Sequence, residues 1–168
     1  MTIAASLASE LLHEARATRA LLERAPEDSF SWRPHEKSMT LGALASHIAH
    51  LPKWTRLTVE RDELDTAQPM PPNPEATDRD DLLEIFEASL ADARDALDDV
   101  DDGSLARLWA LRYGDTTMVE MPKAAVLRSF VLNHLVHHRG QLTVYLRLLD
   151  VPLPAVYGPS ADDAGSFA

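Results

Sequence analysis

His134 and His138 stand four residues apart in the stretch Asn133-His134-Leu135-Val136-His137-His138-Arg139-Gly140-Gln141. The stretch lies in a run from Lys123 to Leu149 that has no proline and only one glycine, Gly140, which predicts a long helix. At about 100° per residue, His138 lies about 40° from His134, and Leu127, Val131, Tyr145 and Leu149 fall between about 20° and 60° on the same scale. Both rings are therefore expected in the middle of the apolar stripe. His137, at about −60°, is expected nearer its edge.

A ring in that position has two nitrogens to satisfy away from water. A metal ion satisfies two such rings together, since imidazole ligates zinc, nickel, copper and iron. A pair of hydrogen-bonded core histidines is the plainer reading of the same spacing, and a third ligand from elsewhere separates the two. The segment from Leu41 to Leu64 supplies one. With His47 set to zero, Leu44, Leu51, Trp54 and Thr58 fall between about −20° and 60°, so His47 also faces the core, whereas His50, near −60°, looks peripheral. Pro52 removes a backbone hydrogen bond just after these rings and is expected to kink the helix and widen a groove there.

The elements that position these rings are four predicted helices, over about 3–24, 41–64, 79–97 and 123–149, which make the fold class all-α. The first carries Ile3, Leu7, Leu11, Ala15, Thr18 and Leu22 at helical spacing, with Glu10, Glu14, Arg16 and Arg19 largely on the other side. The third, capped by Thr77 or Asp78, puts Leu83, Phe86, Leu90, Ala93 and Leu97 on one face. Phe30 and Trp32 lie in a loop that is expected to fold back over the bundle end or a pocket. The segment Gln68–Pro74 reads as an extended connection, and the tail from Tyr157 to Ala168 as loosely packed. Between the third and fourth helices the period changes. Trp109–Tyr113 and Thr116–Glu120 flank Gly114-Asp115, predicting a short hairpin or irregular arm too small to make a sheet domain.

The 168 residues suit a single domain, 1–168, and 45% apolar residues suit an ordinary globule. A formal net charge of −11 argues against a nucleic-acid or anionic-membrane partner. Met1–Glu10 lacks the pattern of a signal peptide and no apolar run is long enough to span a bilayer, so a cytoplasmic location is expected. There is no cysteine, which excludes disulfides, thiolate ligands and a protein thiol nucleophile. A metal would have to be held by His, Asp or Glu.

Three longer motifs carry a family resemblance: Phe30-Ser31-Trp32-Arg33-Pro34, Thr40-Leu41-Gly42-Ala43-Leu44-Ala45-Ser46-His47-Ile48-Ala49, and His134 through Leu142. With Tyr145-Leu146-Arg147, Val151–Pro154 and Tyr157-Gly158-Pro159-Ser160 they make nearly the whole chain resemble the DinB/YfiT-like family, four-helix-bundle proteins also described as metal-dependent hydrolases. The resemblance implies metal ligands at His47, His134 and His138, the same trio that the helix angles select. It further implies an up-up-down-down bundle with a long crossover, a homodimer, and a divalent ion, zinc or nickel first and manganese or iron next. His137 matches a frequent histidine that is not a ligand.

Three imidazoles leave at least one coordination position open, the arrangement of a catalytic site and not of a closed structural one. A water or a low-molecular-weight thiol cosubstrate in that position would become a nucleophile near neutral pH. His50, His137 or Glu60 are the candidates for a general acid or base. Trp32, Trp54, Trp109, Tyr113, Gln141 and Tyr145 are the candidate walls of a pocket for a small-molecule substrate. The expected function is a thiol-dependent transferase or a hydrolase. The alternative is a non-catalytic metal-binding protein, stress-related or serving dimerisation. No His-Glu-x-x-His pattern is present, so a zincin-type peptidase base is missing.

Overall fold

A computed structural model of the chain describes residues 2–70 and 72–163. Those parts of the expectations that fall on Met1, Pro71 and residues 164–168 lie outside the described residues. Helix α1, Ile3–Leu22, is capped by Thr2, whose hydroxyl accepts from the Ala5 amide. Helix α2, Leu41–His50, is capped in the same way by Thr40 and Ala43. A 3-10 turn over Leu51–Lys53 then leads into α3, Trp54–Glu60, so Pro52 marks a break between two short helices. Helix α4, Arg79–Asp98, starts at Asp78, whose carboxylate accepts from the Asp81 amide at 2.9 Å. A short helix α5, Asp102–Ala106, follows.

The last helical run begins as α6, Lys123–Val126, passes through a π-helical stretch over Leu127–Asn133, and continues as α7, His134–Leu148. Helix α4 packs against α1, α2 and α3, and α7 packs against α2 and α1. The main core lies between them, with Leu11, Leu22, Leu44, Ile48, Phe86 and Leu142 all essentially enclosed.

The structure corrects the all-α expectation. A small three-stranded sheet joins β1 (Glu63–Asp65), β2 (Leu108–Tyr113) and β3 (Thr116–Pro122). The hairpin turns at Gly114-Asp115 as its residues predict, with Gly114 at φ 57°. Strand β1 departs from the expectation, which carries the second helix to Leu64. Glu63, Leu64 and Asp65 pair in parallel with Ala110, Leu111 and Arg112, and Leu64 is buried with Trp109 and Val126 in a second, smaller cluster. That pairing is non-local and leaves no periodic mark in so short a segment.

Two further corrections concern phase. The buried face of α4 is Leu82, Phe86, Ser89, Ala93, Ala96 and Leu97, so Leu83 and Leu90 stand at its margin. Glu14, placed on the outer side of α1, is buried at 7% exposure.

Candidate metal centre

The side chains of His47, His134 and His138 converge. Each offers a nitrogen, and the three nitrogens lie within 4.8 Å of one another, the sole such group of three among the described residues. The ring centroids of His47 stand 5.2 Å from those of His134 and 4.5 Å from those of His138. The Nε2 atoms of His134 and His138 are 2.8 Å apart. Tetrahedral ligation at about 2.0–2.1 Å separates two such nitrogens by roughly 3.3 Å, so a shift of about half an ångström brings this pair into range. The donor set of three imidazoles suits zinc, nickel or iron.

Local structure explains how the rings are aimed. His47 sits on α2, whose start is clamped by the preceding loop: the Leu41 amide donates to the Trp32 carbonyl at 2.8 Å and the Gly42 amide to the Phe30 carbonyl at 2.9 Å. A Cβ on Gly42 would come within 3.1 Å of the Phe30 Cβ, so this close approach favours glycine. Trp32 stands edge-on to Tyr145 of α7 at 5.7 Å, and the Tyr145 hydroxyl donates to the Met39 carbonyl at 3.1 Å. The loop therefore ties the helix of His47 to the helix of His134 and His138.

The rings are half-buried, and this corrects the expectation that they occupy the middle of the apolar stripe. The middle is Leu135, Arg139, Leu142 and Leu146, all enclosed, and the histidines run along its flank. The π-helical stretch ends just before His134, and its different advance per residue shifts the phase between Leu127 and the rings. At the flank of the stripe the rings face a seam between helices and not its floor.

Burial, first, and then the nearness of His138, His134 and His50 push the His47 pKa down to about 4. Burial also lowers His134 and His138, and in each case a hydrogen-bond acceptor works against it: the Phe130 carbonyl for His134 and Gln141 for His138. All three rings are thus neutral at pH 7, the state that ligates a metal.

The other predicted residues fall in different places. His50, expected at the periphery, is 4% exposed, and its Nε2 donates to the Pro74 carbonyl at 3.0 Å. His137 is exposed, with its ring 4.8 Å from that of His138. Glu60 is exposed and forms an ion pair with Arg56 at 2.8 Å. Trp54 leans on Phe130 at 6.4 Å and bridges the two core clusters. Trp109 is fully enclosed in the smaller cluster, so it walls no open pocket, and Tyr113 is 64% exposed at the end of the hairpin. Gln141 lies against the three-histidine group, with Oε1 2.7 Å from Nδ1 of His138.

Sequence reasoning passed over Arg139, Glu14 and Tyr157. Arg139 Nη2 lies 2.6 Å from Glu14 Oε2, Arg139 Nη1 donates to the Glu14 carbonyl at 3.0 Å, and the Tyr157 hydroxyl donates to the Glu14 carboxylate at 2.7 Å. The available signal was one basic and one acidic residue, each in phase with a buried stripe on its own helix.

The fold is mostly helical, with a three-histidine group set on two of its helices. The DinB family model matches residues 1–165, and the chain belongs to the DinB family. A DinB-like protein from Bacillus cereus superposes with a TM-score of 0.70 at 22% identity, covering 90% of this chain and 95% of that one. The DinB-like protein YjoA of Bacillus subtilis gives a TM-score of 0.68 at 21% identity, over 88% of this chain and 96% of that one. These likenesses are of fold. The uncharacterized protein YrdA of Bacillus subtilis is 38% identical over 48 residues, 29% of this chain and 28% of the length of that relative. No helix among the described residues is long and apolar enough to cross a membrane.

Proposed function

We propose that the protein is a metalloenzyme acting on a small molecule, with His47, His134 and His138 holding one divalent ion, zinc or nickel before manganese or iron. The observation that carries this reading is the convergence of three nitrogens from α2 and α7 within 4.8 Å, with no carboxylate in the group among the described residues. An ion held there by three neutral ligands supplies the positive charge that lets a water or a small thiol lose its proton near neutral pH.

The surrounding residues divide the remaining work. Trp32 and Tyr145 brace the two ligand-bearing helices against each other through the Met39 carbonyl. His50 and Glu60 are engaged elsewhere, by the Pro74 carbonyl and the Arg56 guanidinium. His137, exposed beside His138, is then the group placed to pass a proton to or from a substrate. The reaction this supports is transfer to a small thiol cosubstrate, or hydrolysis.

Cobalt-loaded, untagged protein titrated with a small thiol such as 2-mercaptoethanol tests the reading through its visible spectrum. A saturable spectral change that disappears in His138→Ala is expected. A spectrum indifferent to the thiol, in a protein that also hydrolyses no model ester, would contradict it.

A further inference from the structure

Neutral imidazole carries one N–H, and the partner of one nitrogen decides which nitrogen keeps a lone pair. His138 has such a partner on its own helix. Gln141, three residues on and therefore on the same face, places its side-chain oxygen 2.7 Å from Nδ1. An amide oxygen only accepts, so Nδ1 must donate, and Nε2 is left with its lone pair. That lone pair points at His134, whose Nε2 is 2.8 Å away.

We infer that Gln141 is a positioning residue that fixes the tautomer of His138, accepting from Nδ1–H so that Nε2 is presented to the ion together with His134 and His47. The inference rests on the proposed metal site for its purpose, but the tautomer itself exists without a metal. At 2.8 Å the two Nε2 atoms stand at hydrogen-bond distance in the metal-free chain, and an ion held by both would replace that contact. The opposite amide orientation would turn the Gln141 NH2 toward Nδ1. It would move the His138 proton to Nε2 and close the site.

Gln141 is exposed, so substitutions there leave the core intact. Gln141→Glu keeps an acceptor and Gln141→Leu removes it at similar size. Two readouts on the untagged, full-length protein are decisive. In metal-free protein, nitrogen-15 NMR of the His138 ring should show Nδ1–H in the parent and in Gln141→Glu, and a mixture of tautomers in Gln141→Leu. Zinc affinity, measured by competition with a chromophoric chelator, should fall by about 10–100-fold in Gln141→Leu and be retained in Gln141→Glu.

A parent His138 protonated at Nε2, or a Gln141→Leu protein with the parent tautomer or the parent zinc affinity, overturns the assignment. If the parent takes up no zinc at all, the metal reading fails, and the NMR arm still decides the role of Gln141. Tight zinc binding by the parent and by Gln141→Leu alike would instead remove Gln141 alone.

Discussion

Arg139 of α7 and Glu14 of α1 form an ion pair inside the protein, Nη2 to Oε2 at 2.6 Å, with the two residues 1% and 7% exposed. The contact is ionic in character, since Nη2 lacks hydrogen-bond geometry, while Nη1 donates to the Glu14 carbonyl. Arg139 follows His138 directly, so the pair fixes the rotation of α7 that turns the His134 and His138 rings toward α2. Tyr157 closes the arrangement, its ring 5.0 Å from the guanidinium carbon and its hydroxyl on the Glu14 carboxylate.

Breaking this pair from one side leaves an uncompensated buried charge, and Arg139→Ala or Glu14→Ala should each cost about 3–5 kcal/mol of stability. Replacing both at once, Arg139→Met with Glu14→Leu, should cost far less than the sum of the single changes. Denaturant unfolding of the three variants checks this. Purely additive losses would mean that the two charges do not depend on each other.

Metal-free protein should lose stability as the pH falls from about 6.5 to about 4. His47 in the folded chain titrates at about 4, chiefly because it is buried, whereas an unfolded histidine titrates near 6.5. Between those values the unfolded chain takes up a proton that the folded chain refuses, so acid favours unfolding and the stability is fully present above the window. Full linkage would give roughly 3 kcal/mol, and screening by solvent at this half-buried ring reduces that to about 1–2 kcal/mol. Chelator-treated protein should show the decline, and His47→Ala should show a flatter profile over the same pH range.

His50 is not a ligand on this account, despite lying one turn from His47. Its Nε2 holds the Pro74 carbonyl, and Ser46 on the preceding turn accepts from the Ala76 amide at 2.8 Å, so this edge of α2 straps down the connection to α4. His50→Leu should lower stability by about 1–2 kcal/mol through the lost buried hydrogen bond while leaving metal occupancy unchanged. Occupancy falling as far as in a His47 variant would show that His50 ligates.

The convergence of the three histidines was legible in the sequence because His-x-x-x-His and the phase of His47 depend only on local helix geometry. The surroundings were less so. Arg139 breaks the apolar stripe of α7 in sequence, yet it occupies the centre of the buried face because Glu14, 125 positions away, neutralises it. The strand Glu63–Asp65 exists only through its pairing with β2. Trp109 gave no sign that it would be enclosed with Leu64 and Val126, since that cluster is assembled from three distant segments. The π-helical stretch before His134 has no marker in its residues either, and it displaced the phase that the helix angles assumed.

Elemental analysis of untagged protein, alongside His47→Ala, His134→Ala and His138→Ala, tests the metal site most directly. Close to one divalent ion per chain is expected in the parent, with a large loss in each variant. A parent without metal, or variants that keep full occupancy, would contradict it.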